Sequence, residues 1–196
     1  MAKKKSKTIV MDIKGLPYSK KVDNILMYIN VGIFVLCLVT LILPIMRFWY
    51  PLTSNPVYSN FMVNGYYFIL GGKVNQYMPN KNSSSSVLTT VPVTEVWIAY
   101  LLVLVAIILF VLVVCSKNDI FKKIGYLVSG FLCGVSGVLF SMSAETSLKA
   151  FKNITGISNT IRNVEFTVFG IILIVILFVS FLIQLYQASC VKIVKK

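Results

Sequence analysis

The chain has 196 residues, of which 57% are apolar and 13% charged. That balance excludes an ordinary soluble domain, in which about a quarter of residues carry charge. The net charge is +13 and comes almost wholly from lysine, since Arg47 and Arg162 are the only arginines. Most lysines border long apolar blocks, which is how a membrane protein sets its orientation and meets anionic inner-leaflet lipid. A nucleic-acid partner is therefore not implied.

Residues 1–23 form a basic N-terminal segment carrying Lys3, Lys4, Lys5, Lys7, Lys14, Lys20 and Lys21. The apolar stretch at 24–46 is too long for a signal-peptide core, and no small-residue cleavage site follows it, so it predicts an uncleaved first transmembrane helix. Within it, Asn30 and Thr40 can bond locally or to a neighbouring helix, and Pro44 falls near the outer end, where a helix can stop cheaply.

Residues 47–95 are a long loop, the only part large enough to fold on its own. It opens with Trp49 and Tyr50, where an interfacial aromatic belt belongs. Val57 to Gly72 is rich in aromatic and β-branched residues, and Asn64-Gly65 is a hairpin-turn signal. A rival reading starts a short interfacial helix near Tyr66 that ends at Gly71-Gly72. Asn82 to Ser86 reads as a flexible tip, and Val87 to Val93 as a further strand.

The second span is 96–116, an uncharged run of about 30 Å as a helix, which matches the hydrocarbon core of a bilayer. A short connection at 117–123 holds Lys117, Lys122 and Lys123. The third span is 124–144, a second loop covers 145–165 with its first part able to extend the third helix, and the fourth span is 166–187. Residues 188–196 form a basic tail. Strands rarely exceed about ten residues, so runs of this length are helices. With both termini inside, thirteen lysines and arginines lie on the cytoplasmic side and six outside. Such a bias predicts the plasma membrane with cytoplasmic N- and C-termini. The fold class is membrane all-α: a four-transmembrane-helix bundle with a small extracellular β-rich loop between helices 1 and 2.

On the third span Gly130, Gly134, Gly137 and Ser141 recur on one helical face, and Gly130-x-x-x-Gly134 is a small-residue packing motif. It serves either a dimer or partner seam or tight packing inside this bundle, and the latter is favoured because a four-helix bundle needs close seams. Arg47, Glu95, Glu145, Arg162 and Glu165 form an outer-face charged cluster. Glu95 and Glu165 read as helix-start carboxylates that complement the helix dipole; a cation or partner site is the functional alternative. The span interiors hold no Asp, Glu, Lys or Arg, only Asn30, Thr40, Ser129, Ser136, Thr167, Ser180 and Gln184, whereas ion-coupled transporters usually keep a charge there.

No histidine is present, which removes the commonest general base. There is no H-E-x-x-H, G-x-S-x-G, C-x-x-C or Gly-rich phosphate loop. Cys37, Cys115, Cys133 and Cys190 fit no zinc spacing, and none lies in an outside segment where a disulfide would form. Asn82 and Asn153 each head a glycosylation sequon, a match that chance explains in such Asn- and Ser-rich loops. No cofactor, metal or catalytic residue is implied.

Four spans with both ends inside and a β-rich first loop resemble the claudins in layout. Trp49 stands near the place of the first Trp in their W…G-L-W-x-x-C…C loop pattern, although G-L-W and the loop cysteines are absent. The run from LPIMRFWY to VNGYYFILGG also resembles small four-helix membrane proteins of low-GC bacteria, which have no assigned activity. These features lead to an expected non-catalytic scaffold or accessory subunit that self-associates or joins another membrane protein. The alternative is a small channel or permease subunit.

Overall fold

Uncharged apolar runs of this length fold as helices because a backbone in lipid has to satisfy its hydrogen bonds internally. The computed structural model describes residues 11–13, 16–18, 20–51, 58–76, 86–90, 92–152 and 163–191. In chain order its elements are β1 (Met11–Ile13), β2 (Leu16–Tyr18), α1 (Lys20–Val39), β3 (Pro44–Pro51), β4 (Tyr58–Asn64) and α2 (Gly65–Leu70). There follow β5 (Gly72–Gln76), β6 (Ser86–Thr90), α3 (Thr94–Cys115), α4 (Asp119–Lys152), β7 (Asn163–Phe166) and α5 (Val168–Cys190). Four stretches are long and apolar enough to cross a membrane: Val22–Val39, Thr94–Cys115, Asp119–Ala150 and Val168–Cys190. The protein is thus a multi-pass membrane protein by the length and composition of its helices.

Each long helix buries a stripe with three- and four-residue spacing, the pattern of intimately packed bundles. On α3 it is Val96, Ala99, Val103, Ala106, Phe110 and Val113. On α4 it is Tyr126, Ser129, Cys133, Ser136, Phe140, Ser143 and Ser147. On α5 it is Gly170, Leu173, Leu177, Ser180, Gln184 and Gln187. The small side chains of the α4 stripe let it approach α3, where Ser129 Oγ donates to the Ala106 carbonyl at 3.0 Å and Ser136 Oγ to the Ala99 carbonyl at 2.8 Å. Bulky apolar residues such as Leu104, Ile108, Phe131, Ile171 and Leu182 point outward.

Several boundaries differ from the sequence expectation. The first helix ends at Val39, so residues 44–46, expected to be helical, open β3. Leu41 and Ile42 tighten the last turn with bonds to the carbonyls three residues back. Pro44 then has no N–H and disfavours helix at Leu43. The connection between α3 and α4 shrinks from 117–123 to 116–118. Asn118 starts α4 early, because its Oδ1 accepts the N–H groups of Ile120 and Phe121 at 3.0 and 3.4 Å. At its other end α4 runs on to Lys152, well past residue 144.

Asn64-Gly65 is not a hairpin turn. Asn64 is extended and precedes α2, which ends at Gly71 with φ of 66°, a left-handed conformation that glycine adopts without strain. Gly65 is required by crowding: a Cβ there would lie 2.6 Å from both the Thr40 carbonyl oxygen and the Tyr100 hydroxyl. The short-helix reading of this stretch is the one observed.

The three-stranded antiparallel sheet has the order β4-β3-β7. Its third strand comes from the second long loop, so the β structure is not confined to the segment between the first two spans. In the register, Met46 faces Phe166, Arg47 faces Glu165 and Trp49 faces Asn163. On the other side Arg47 faces Met62. Met46, Phe48, Val63 and Val164 are buried beneath the sheet, and Phe48 stacks on Phe68 of α2 at 6.2 Å. The base of the sheet is stitched to α5: Thr167 N–H bonds the Ile45 carbonyl at 3.0 Å, and the Thr167 hydroxyl donates to the Pro44 carbonyl. Two smaller antiparallel pairs, β1 with β2 and β5 with β6, complete the described structure.

Candidate functional site

Two places concentrate polar chemistry: the bundle interior and the outward face of the sheet. The interior is reached from the end of the bundle opposite the sheet, where the start of α1 meets the close of α5. There Gln187 Nε2 donates to Asp23 Oδ1 at 3.0 Å. Asn30 Nδ2 donates to Gln187 Oε1 at 3.2 Å, and Ser180 Oγ to Asn30 Oδ1 at 2.9 Å. Gln184 Nε2 donates to Ser180 Oγ at 3.0 Å and lies 3.8 Å from Cys133 Sγ. Asn30, Cys133, Ser180, Gln184 and Gln187 are all fully buried. A polar chain therefore links α1, α4 and α5 along the half of the bundle away from the sheet. Gln184 Oε1 is buried without a partner, which costs about 1–3 kcal/mol unless a donor reaches it.

Toward the sheet the interior changes character. There Tyr100 meets Phe140 edge-on at 4.8 Å, whereas Phe110, which Phe34 meets edge-on at 5.3 Å, lies toward the other end of α3 beside Tyr126. Thr40 Oγ1 and the Tyr100 hydroxyl, 3.1 Å apart, tie α1 to α3 at this level. Leu173 and Leu177 of α5 are buried at this level too.

The glycine face of α4 is turned to α5. A Cβ on Gly130 would lie 3.1 Å from Gln184 Cβ, one on Gly134 would lie 3.3 Å from the Phe181 ring, and one on Gly137 would lie 3.2 Å from the Phe178 ring. Ser141, placed on the same face by spacing, is exposed, and its hydroxyl donates to the Val138 carbonyl at 2.7 Å within its own helix.

The expected charged cluster is split. Arg47 and Glu165 are opposite one another on β3 and β7. Glu165 is not a helix-start carboxylate: Thr167 caps α5, accepting from Gly170 N–H at 3.3 Å. The Glu165 oxygens instead accept from Trp49 Nε1 at 3.1 Å and Asn163 Nδ2 at 3.0 Å. Glu145 pairs with Lys149 one turn along α4 at 2.7 Å, both side chains well exposed, so the pair contributes little to stability. Glu95 lies in the first turn of α3, as expected. Arg162 is outside the described residues, as are Asn82, Asn153 and the 82–85 tract. Among the described residues no three His, Cys, Asp or Glu side chains are placed to hold a metal ion.

Compared with known proteins, the chain matches no family model and no curated protein. The reading therefore rests on its own residues. Reasoning from sequence named Asn30, Ser180 and Gln184 but not Gln187, Cys133 or Asp23 as their partners. The signal was there in spacing: Gln187 follows Ser180 by seven and Gln184 by three, the interval of the α5 core stripe.

Proposed function

We propose that this protein is a non-catalytic accessory or scaffold subunit of a plasma-membrane complex, with both chain ends cytoplasmic and the sheet outside. The observation that carries the reading is the outward face of the sheet. Arg47, Trp49, Met62, Asn163 and Glu165 stand together on it in fixed register, over an apolar underside in which Met46, Phe48 and Val63 are fully buried. The sheet is tied to α1 through β3, to α5 through β7, and to α3 through α2, with Val93 N–H bonding the Phe68 carbonyl at 2.8 Å. A platform held at so many points presents its side chains with little ordering cost on binding. Trp, Arg and Met are also the residue types enriched at recognition surfaces. The lysine bias supports a platform on the outer side.

The test is site-specific photo-cross-linking in native membranes from position 62, with position 104 on the outward face of α3 as the comparison. A discrete adduct with one other membrane protein from position 62 is the expected result. A random lipid-only pattern from both positions would overturn the reading.

A second reading, a small channel or permease subunit, draws on the buried polar chain from Asp23 to Gln184 and its unpartnered carbonyl oxygen. Tyr100 and Phe140 are in edge-on contact toward the sheet, so conduction along this path needs them to move. Reconstituted protein that passes neither ions nor small solutes would remove this alternative.

A further inference from the structure

Arg47 forms no ion pair with any described residue. Its neighbour across the sheet, Glu165, is engaged by Trp49 and Asn163. The Arg47 Nε is shut away from solvent with no acceptor, and the guanidinium carbon lies 5.7 Å from the centroid of the Trp49 ring. Among the described residues no acceptor reaches Arg47 Nε, and the Trp49 ring lies beside the guanidinium.

The level of Arg47 in the membrane narrows what the missing anion is. Arg47 pairs with Glu165, three residues before α5 begins at Val168, or about 10 Å along a strand. The first residues of α5, Val168 and Phe169, are exposed and apolar, as is Ile42 just beyond α1. The 23 residues of α5 span about 35 Å, slightly more than the hydrocarbon core of about 30 Å. Arg47 thus sits in the polar layer directly above the hydrocarbon edge, where lipid phosphates are. Met62, which faces it on β4, is 44% exposed and apolar, and it offers a surface to the glycerol and upper acyl region. A guanidinium suits a phosphate oxygen pair better than an ammonium does.

We propose that Arg47, backed by Trp49 and Met62, is a binding site for the phosphate of a phospholipid headgroup in the leaflet on the sheet side. The site shares Arg47, Trp49 and Met62 with the partner face but does not rest on that reading, because lipid titration of the purified chain and partner capture from the membrane can fail separately. Its ligand is an anionic lipid such as phosphatidylglycerol, which brings no competing cation of its own.

The experiment uses the full chain with Trp97→Phe, leaving Trp49 as the sole tryptophan, purified in mild detergent. Trp49 emission is followed while short-chain phosphatidylglycerol, inorganic phosphate or uncharged dioctanoylglycerol is added. The expected result is a saturable change with phosphatidylglycerol, at least tenfold weaker binding of inorganic phosphate, and no response to dioctanoylglycerol. Arg47→Gln should weaken the lipid response at least tenfold, with Arg47→Lys in between. Glu165→Gln, which keeps an oxygen for Trp49 but removes the nearby negative charge, should tighten it. That variant guards against Arg47→Gln simply failing to fold. Equal titrations for the parent and both Arg47 variants, or no tightening in Glu165→Gln, would overturn the proposal. Inorganic phosphate binding as well as the lipid would assign the site to free phosphate and overturn the lipid.

Discussion

Replacing Asn30 with alanine tests the buried polar chain at its centre. Asn30 is fully buried and joins α1 to α5 through two hydrogen bonds, one to Gln187 and one from Ser180. Side-chain hydrogen bonds between membrane helices contribute about 0.6 kcal/mol each on average and up to about 1.7. The substitution breaks two and leaves Gln187 Oε1 without its donor, while the Ser180 hydroxyl keeps only Cys133 Sγ at 3.8 Å as an acceptor and Gln187 Nε2 keeps Asp23. A loss of about 1–3.5 kcal/mol follows from the two bonds. A double-mutant cycle with Ser180→Ala should return a coupling of about 0.6–1.7 kcal/mol, because the pair is in direct contact. The assay is reversible unfolding in mixed micelles of increasing denaturing-detergent fraction, followed by helical content. An Asn30→Ala change within about 0.5 kcal/mol of wild type, the level of a neutral surface substitution, together with no coupling to Ser180, would refute the arrangement of α1 against α5.

Gly134→Val should destabilise the bundle by about 1–3 kcal/mol, since even a Cβ there is 3.3 Å from the Phe181 ring; the same unfolding assay measures it, and Ser141→Val on the exposed side should change little. Thr167→Ala should cost about 1 kcal/mol for the lost cap of α5, with a further loss from its bond to the Pro44 carbonyl, read as a lowered midpoint of unfolding. Cys115 is exposed beside the α3–α4 connection whereas Cys37, Cys133 and Cys190 are buried. A membrane-impermeant maleimide should therefore label one cysteine, and only after cells are permeabilised; labelling of intact cells would invert the proposed orientation.

The four helices could be read from sequence because an apolar run long enough to cross a bilayer has few other folds open to it. Their ends were harder to read for the same reason. Ile45 and Met46 are as apolar as the helix before them, yet they are buried in a strand beneath the sheet, so the end of the apolar run is not the end of the helix. Pro44 marked the change. β7 is only four residues long, Asn163–Phe166, and pairs with a strand more than a hundred residues away. Nothing local to it announces that pairing. Asn64-Gly65 suits a tight turn by residue type, but crowding by Thr40 and Tyr100 is what demands the glycine, and only tertiary contact reveals it. The polar chain was half legible. Its residues stand out against an apolar background, while the choice of partner depends on which stripe each helix turns inward.

In the proposed function the sheet face recruits another membrane protein. Gentle-detergent purification of the full chain from its native membrane, analysed by mass spectrometry beside a Trp49→Ala, Met62→Lys double variant, tests it most directly. A stoichiometric membrane-protein partner that is retained by the wild type and lost from a normally folded variant is the predicted result. A wild-type chain that emerges alone, with no adduct after cross-linking in cells, would contradict it.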